Sequence, residues 1–279
     1  MKKNIQKIIA KSIGGYINLV SHIAPKKSMQ LSYKFFSEPR KGKINPTSIP
    51  NTLLKTILHE HTINGKKFHS YHWQGNEDVI LLVHGWESNA SRWKKIIPHL
   101  KKTGRTIIAM DAPAHGLNND KEFNVVLYSE FINVIVQKYN PNIVIGHSIG
   151  GNALAYYQKY YSNKIKKMVL LGAPSDFKVI MKNYFEILGL NNKVQEQFQS
   201  YVEDRFNINV DEFSTSKFLE DSSILGMLVH DQEDFIVLLE EGKKISKSWT
   251  TAKYIETRGL GHSMHDANLY DKIVKFIES

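Results

Sequence analysis

The stretch that decides the fold is Gly146-His147-Ser148-Ile149-Gly150-Gly151. It follows an apolar run, residues 142–145, which predicts a buried parallel strand. Residues 152–161, directly after it, predict a helix. The stretch is therefore expected to form a tight strand-to-helix turn with a serine at its centre.

A serine in such a turn takes strained backbone angles, so the positions two residues before and after it must lack a side chain. Gly146 and Gly150 occupy those positions. The turn would raise the Ser148 hydroxyl above the edge of the sheet. It would also direct the backbone N–H of Ile149 at a negative charge developing on a substrate oxygen.

The composition is that of a soluble globular protein, with 279 residues, 42% hydrophobic and 11% aromatic. This length allows one large α/β domain or two small ones with a sizeable core. The absence of cysteine excludes disulfides, a thiol nucleophile and cysteine-ligated metals, and it suits a reducing cytosol. No apolar run approaches the ~20 residues that a membrane span needs. We therefore expect a cytoplasmic protein.

The positive charge is concentrated at the N-terminal end. Residues 1–50 hold ten of the 37 Lys and Arg residues and a single acid, Glu38, so they carry +9 of the net charge of +10. Residues 51–279 are nearly neutral, with 27 basic and 26 acidic residues. Because no basic stripe crosses the body of the protein, we expect no nucleic-acid partner.

The N-terminal segment has the pattern of a basic amphipathic helix. Its apolar residues recur at helical spacing: Ile5, Ile8, Ile9, Ile13, Tyr16, Ile17 and Val20. Such a helix can dock on an apolar groove of its own protein or lie on an anionic membrane, and residues 1–24 are the candidate membrane contact. A signal peptide is disfavoured, because Lys11 interrupts the apolar run and no small-residue cleavage site follows.

From residue 51 onward the pattern predicts a hairpin and then alternating strands and helices. The hairpin turns at Asn64-Gly65, and the later strands are continuous apolar runs. Such runs predict an α/β fold with a mostly parallel sheet that has helices on both faces. Residues 51–173 and 224–279 would form this core, residues 1–50 a basic extension, and residues 174–223 a helical lid or cap insertion.

Further motifs extend the evidence from the serine turn. Val83-His84-Gly85-Trp86 ends a buried strand ahead of it, and the chain then resembles the serine-nucleophile α/β hydrolases over roughly residues 52–279. The resemblance implies the α/β-hydrolase fold with Ser148 as nucleophile. It also implies that the backbone N–H groups of Trp86 and Ile149 bind the oxyanion, and that the motif residues His84, Gly85, Gly146 and Gly150 support them.

In this family an acid and then a histidine follow the serine along the chain. The family's acid pattern selects Asp234, with Asp231 and Glu233 as neighbouring solvated charges and Asp176 at a rarer alternative position. The motif Gly259-Leu260-Gly261-His262 selects His262 as the general base, with His265 as its competitor.

The remaining histidines are interpreted as structural. His59, His61, His69 and His72 have no Asp or Cys cluster around them, so we expect no metal and no cofactor. His147 is expected to be structural, and the motif Asp111-Ala112-Pro113-Ala114-His115-Gly116 is expected to shape the rim of the pocket.

The resemblance implies an esterase- or lipase-like serine hydrolase (EC 3.1.1). It would cleave a small-molecule carboxylic ester, or a related acyl substrate, through an acyl-enzyme. Thioester hydrolysis, C–C bond hydrolysis and perhydrolysis use the same residues and stay open. A non-catalytic binding protein of the same fold and a membrane-associated lipase are further alternatives. The sequence does not determine the oligomeric state or the acyl chain length.

Overall fold

A computed structural model describes residues 2–279 of the chain, with side chains from Ile5 onward. Its centre is an eight-stranded sheet in the order β1-β2-β4-β3-β5-β6-β7-β8. The strands are β1 Ile57–Ile63, β2 Lys66–Trp73, β3 Asn76–Val83, β4 Arg105–Met110, β5 Ile143–His147, β6 Lys167–Leu171, β7 Leu225–Asp231 and β8 Ala252–Thr257. From β4 to β8 all neighbouring strands are parallel, whereas β2 is antiparallel to both of its neighbours. The predicted mostly parallel sheet is confirmed.

The predicted hairpin is formed by β1 and β2. Its two turn residues, Asn64 and Gly65, have φ values of 50° and 74°. Both lie in the left-handed region that a two-residue hairpin turn of this kind requires. This explains why the sequence places Asn-Gly there.

The described helices are α1 Lys2–Ile23, α2 Pro25–Ser37, α3 Asn51–Leu54, α4 Ile97–Leu100, α5 Val125–Tyr139, α6 Ile149–Tyr160, α7 Phe177–Leu188, α8 Asn192–Phe206, α9 Thr215–Leu219, α10 Leu239–Ser248 and α11 Ala267–Glu278. Short 3₁₀ turns lie at Ala90–Lys95, Lys101–Thr103 and Gly261–Ser263. In β3, consecutive residues from Ile80 to Val83 are fully buried. Because side chains alternate between the two faces of a strand, both faces of the sheet are covered.

The chain divides into two compact units, and the first contains the sheet. This unit comprises Pro39–Ser175 and Thr215–Ser279. These boundaries differ from the predicted ones, because residues 39–50 and 215–223 belong to the core. Ile44 donates its N–H to the Gly116 carbonyl at 2.8 Å, and the Thr215 hydroxyl donates to the Pro174 carbonyl at 2.7 Å.

The second unit is helical and comprises Met1–Glu38 and Asp176–Ser214. Its core contains Ile17 of α1 and Tyr33 of α2, packed with side chains of α7 and α8. Val194, Phe198 and Val202, which are spaced four residues apart, are buried on one face of α8. The N-terminal segment is therefore not a separate extension, because one face of α1 packs against the inserted helices.

The close approach of α1 to α7 gives a testable pair of substitutions. A Cβ added to Gly14 would lie 1.9 Å from the Leu188 carbonyl oxygen, whereas one added to Gly15 would meet nothing within 4 Å. We expect Gly14→Ala to destabilise the helical unit by about 1–3 kcal/mol through overpacking. Gly15→Ala should instead stabilise α1 by up to about 1 kcal/mol. Hydrogen exchange of the α1 amides measures both changes in stability. Equal effects of the two substitutions would contradict the close contact between Gly14 and Leu188.

Candidate active site

The predicted turn forms between β5 and α6, with Ser148 in the expected strained conformation. Its φ is 53° and its ψ is −131°, angles that cost a non-glycine residue about 1–3 kcal/mol. The Ser148 N–H donates to the Leu171 carbonyl at 2.9 Å, which ties the turn to β6. The surrounding structure therefore holds the serine in a conformation that it would not adopt in a free chain.

The flanking glycines are required because backbone lies against them. A Cβ on Gly150 would be 2.4 Å from the carbonyl oxygens of both Val83 and His84. A Cβ on Gly146 would be 2.7 Å from the Cα of Gly151. The steric requirement inferred from the sequence is thus present in the structure, with β3 and α6 as the neighbours.

A continuous hydrogen-bonded chain joins three of the predicted residues. The Ser148 hydroxyl lies 3.0 Å from Nε2 of His262, and Nδ1 of His262 lies 2.7 Å from Oδ2 of Asp234. The three residues follow the carboxyl ends of β5, β8 and β7, which share one edge of the parallel sheet. Because the Asp234 carboxylate can only accept, it favours the tautomer of His262 that carries its proton on Nδ1. Nε2 is then unprotonated and can take the serine proton.

The second carboxylate oxygen of Asp234 also accepts hydrogen bonds. Its Oδ1 accepts the N–H groups of Ile236 and Val237, both at 2.9 Å. Burial by itself raises the pKa of the Asp234 carboxyl, but the hydrogen bonds from His262 and from the two amides outweigh it and lower that pKa. Asp234 is therefore an anion beside the His262 ring.

Of the two predicted oxyanion-binding amides, one belongs to Ile149, which directly follows Ser148, and the other to Trp86 in the segment after β3. Ile149 is the first residue of α6, so its N–H has no acceptor within the helix. A Cβ on Gly85 would lie 2.8 Å from the Ser148 Cβ, so the segment after β3 is in close contact with the serine. Trp86 follows directly in that segment.

Asp231 has a structural role that its sequence context does not predict. The sequence predicts a solvated loop charge at this position, but Asp231 is fully buried. Its carboxylate accepts the N–H groups of Glu233, Leu260 and Gly261, each at 3.0 Å, and the Thr257 hydroxyl at 2.7 Å. Asp231 thus fixes the start of the 3₁₀ turn that carries His262. The sequence does not distinguish it from Glu233, because Leu260 and Gly261, whose N–H groups its carboxylate accepts, belong to a distant part of the chain.

Removing this charge should destabilise the protein in a pH-dependent way. Burial raises the pKa of Asp231, but its four hydrogen bonds outweigh burial and lower that pKa. Its stabilisation is therefore present above the unfolded pKa of about 3.9 and is lost as the pH falls through the folded value. We expect Asp231→Asn to lower the unfolding free energy by about 1–3 kcal/mol at neutral pH.

The difference in unfolding free energy between wild type and Asp231→Asn should narrow below about pH 4, because the aspartate of the unfolded chain then binds a proton. Thermal unfolding across a pH series measures it. Glu233→Gln is the matched control, because Glu233 is an exposed loop carboxylate paired with Arg258 at 3.2 Å. That pair is a surface ion pair worth about 0–1 kcal/mol. A pH-independent loss in Asp231→Asn would contradict the role of its charge.

Two further histidines hold the loops of the site. Nε2 of His147 lies 2.7 Å from the carbonyl oxygen of His262, and Nε2 of His230 lies 2.8 Å from that of Val237. Burial lowers the pKa of His147 well below its ordinary value, so the ring is neutral and donates from Nε2. The residue before the serine therefore holds the backbone of the histidine that contacts the serine.

The motif of residues 111–116 supports the segment that contains Trp86. Nε2 of His115 accepts the N–H of Glu87 at 2.9 Å, while buried Asp111 accepts the N–H of Ala90 at 2.9 Å. His84 is fully buried and accepts the Ala112 N–H at 2.9 Å. These side chains lie in a hydrogen-bonded framework behind the site.

The competing candidates have other partners. Nδ1 of His265 lies 2.6 Å from the Tyr270 hydroxyl, and burial lowers the pKa of His265 to about 4. Asp176 accepts the Ser214 hydroxyl at 2.8 Å within the helical unit. His61 and His72 both contact the Ser70 hydroxyl, at 2.8 and 2.7 Å, inside the sheet region.

Neither a metal-ligand cluster nor a membrane-spanning helix is present in the described residues. Among residues 2–279, no group of three or more His, Cys, Asp or Glu side chains is arranged to hold a metal ion. In the same part of the chain, no helix is both long and apolar enough to cross a bilayer.

A mostly parallel eight-stranded sheet in which a serine, an aspartate and a histidine meet at the carboxyl edge is the arrangement of α/β hydrolases. A family model described as "alpha/beta hydrolase fold" matches residues 78–219. The chain therefore belongs to the α/β hydrolase fold family.

The chain is similar to several hydrolases. A Mycoplasma genitalium protein named "Putative esterase/lipase 2" is 22% identical over 272 residues, which are 84% of this chain and 97% of that protein. An Arabidopsis thaliana protein named "Putative methylesterase 15, chloroplastic" is 25% identical over 171 residues, 59% of this chain. This chain covers only 35% of the plant protein. These names support a hydrolase.

Solved structures show the same fold. A meta-cleavage product hydrolase from Pseudomonas fluorescens IP01 superposes with a TM-score of 0.62 at 17% identity, covering 81% of this chain and 98% of that one. At this identity the likeness concerns the fold alone.

Proposed function

We propose that the protein is a serine hydrolase that cleaves a carboxylic ester through an acyl-enzyme intermediate. The observation that carries the proposal is the continuous hydrogen-bonded chain from the Ser148 hydroxyl through His262 to Asp234. A strained serine held against an imidazole that has a buried carboxylate behind it is the arrangement that activates a hydroxyl for attack.

In the first half of the reaction, Oγ of Ser148 bonds to the ester carbonyl carbon while its proton passes to Nε2 of His262. The carbonyl oxygen becomes an oxyanion that accepts the N–H groups of Trp86 and Ile149. Collapse of this intermediate breaks the C–O bond, and His262 returns its proton to the departing alcohol. Asp234 holds the imidazole in orientation and stabilises its charged form.

In the second half, a water molecule gives its proton to His262 and attacks the acyl-enzyme. The bond between Oγ of Ser148 and the acyl carbon then breaks, His262 returns its proton to Oγ, and the carboxylic acid is released.

A fluorophosphonate probe and a chain-length series of nitrophenyl esters test this proposal. Wild-type protein should be labelled and should hydrolyse at least part of the series. Ser148→Ala should do neither, while Ser263→Ala, which removes an exposed hydroxyl beside His262, should retain both. Activity on acyl thioesters alone would overturn the ester assignment. Absence of both labelling and turnover in wild type would overturn the proposal that the protein is an enzyme.

A further inference from the structure

Helix α1 has two apolar faces, and only one of them is used inside the protein. On the first face, Ile17 and Ser21 are fully buried and Gly14 lies against α7. Asn18 continues this contact, because its side-chain amide donates to the Gly189 carbonyl at 2.8 Å. This face accounts for the docking of α1 on the helical unit.

The second apolar face is exposed. We call it the α1 stripe, and its members, with their exposed fractions, are Ile5 51%, Ile8 66%, Ile9 54%, Tyr16 54%, Leu19 64% and Ile23 83%. Their spacing keeps them on one side of the helix over about 27 Å at 1.5 Å per residue. Exposed Ser12 interrupts the stripe between Ile9 and Tyr16. Exposed apolar residues are ordinary when they are scattered, but a stripe of this length marks an interaction surface.

The charge around the α1 stripe identifies its partner. The two helices that span residues 2–37 contain seven lysines and no acidic residue. The other part of the same unit, residues 176–214, has seven acidic and four basic residues, so the positive charge is confined to α1 and α2. Lys7, Lys26 and Lys27 are exposed. Lys11 is also exposed, and its ammonium group donates to the Glu186 carbonyl of α7.

We infer that the α1 stripe inserts into the surface of an anionic lipid bilayer, with the lysines of α1 and α2 at the level of the phosphates. An apolar face combined with a basic polar face is the composition of helices that lie in the plane of a membrane interface. A second copy of this chain fits the surface less well, because pairing two stripes would bring two basic helices together without acidic partners. The binding does not depend on the proposed ester chemistry.

Flotation of the full-length protein with lipid vesicles tests the inference. Wild type should float with vesicles of phosphatidylcholine mixed with phosphatidylglycerol, and much less with phosphatidylcholine alone. The double substitution Ile8→Asn/Leu19→Asn removes apolar area without changing charge. We expect it to lower the partition coefficient for the mixed vesicles by at least about tenfold.

The matched control is Leu54→Asn, because Leu54 is 61% exposed in the sheet-containing unit, close to the values of Ile8 and Leu19. It should float like wild type, and all three proteins should melt at the same temperature. Added salt should weaken the binding of wild type.

Equal flotation of wild type and the double variant would overturn the inference, as would a failure of wild type to bind the mixed vesicles. Light scattering provides a further test. A dimer that is lost in the double variant, without vesicle binding by wild type, would show that the stripe is a contact between copies instead.

Discussion

Ser148→Ala is expected to lower kcat for an ester substrate by about a million-fold, the scale measured when a serine nucleophile is removed from a hydrolase with this kind of triad. The hydroxyl at 3.0 Å from Nε2 of His262 is the only group that the proposed reaction joins covalently to the substrate. Steady-state kinetics on the best nitrophenyl ester of the chain-length series measures the loss.

Ser148→Gly separates the chemical effect from stability. Glycine adopts a φ of 53° without the strain that a side chain imposes there. We therefore expect this variant to be as inactive as Ser148→Ala and to unfold at a temperature no lower than that of wild type. Retention of more than a small fraction of activity in both variants would mean that another group attacks the substrate.

Asp234→Asn is expected to lower kcat by about 10⁴-fold, and the structure supplies the reason. Oδ1 of Asp234 accepts two backbone N–H groups, so the amide oxygen of the asparagine must stay at that position. Its NH₂ group then faces Nδ1 of His262 at the Oδ2 position. The ring must present a lone pair there and carry its proton on Nε2, where it can no longer accept the proton of Ser148.

Two single substitutions, analysed by the same kinetics, serve as comparisons with Asp234→Asn. Glu233→Gln makes the same change on an exposed carboxylate of the same loop and should be nearly neutral. Asp176→Asn tests the alternative acid that the sequence left open. A large loss in Asp176→Asn with a small loss in Asp234→Asn would reassign the acid.

The strand pattern and the serine turn could be predicted because their causes are local. A continuous apolar run such as that of β3 needs burial on both faces wherever it lies. The glycines around Ser148 are demanded by the strained turn itself, and the structure identifies the backbone that presses on them. The choice of His262 and Asp234 also followed from motif and chain order, and the structure joins both to Ser148.

The role of Asp231 could not be predicted, because its partners are distant in the sequence. Asp231 is the last residue of β7 and Glu233 lies two residues beyond it, and the sequence alone does not distinguish the roles of these two acids. Only the folded chain brings the N–H groups of Leu260 and Gly261 to one of them. Burial then differs between the two carboxylates, and that difference decides which one holds the His262 turn.

The sequence by itself determined the α/β architecture, the strained serine turn and the order of serine, aspartate and histidine, since periodicity and backbone sterics act over a few residues. Tertiary structure decided which face of α1 packs against the inserted helices. Both faces of α1 are apolar at helical spacing, so the sequence could not distinguish the face that packs from the face that stays exposed. The contact of Gly14 with Leu188 makes that choice, because only a residue without a side chain allows the two backbones to approach so closely.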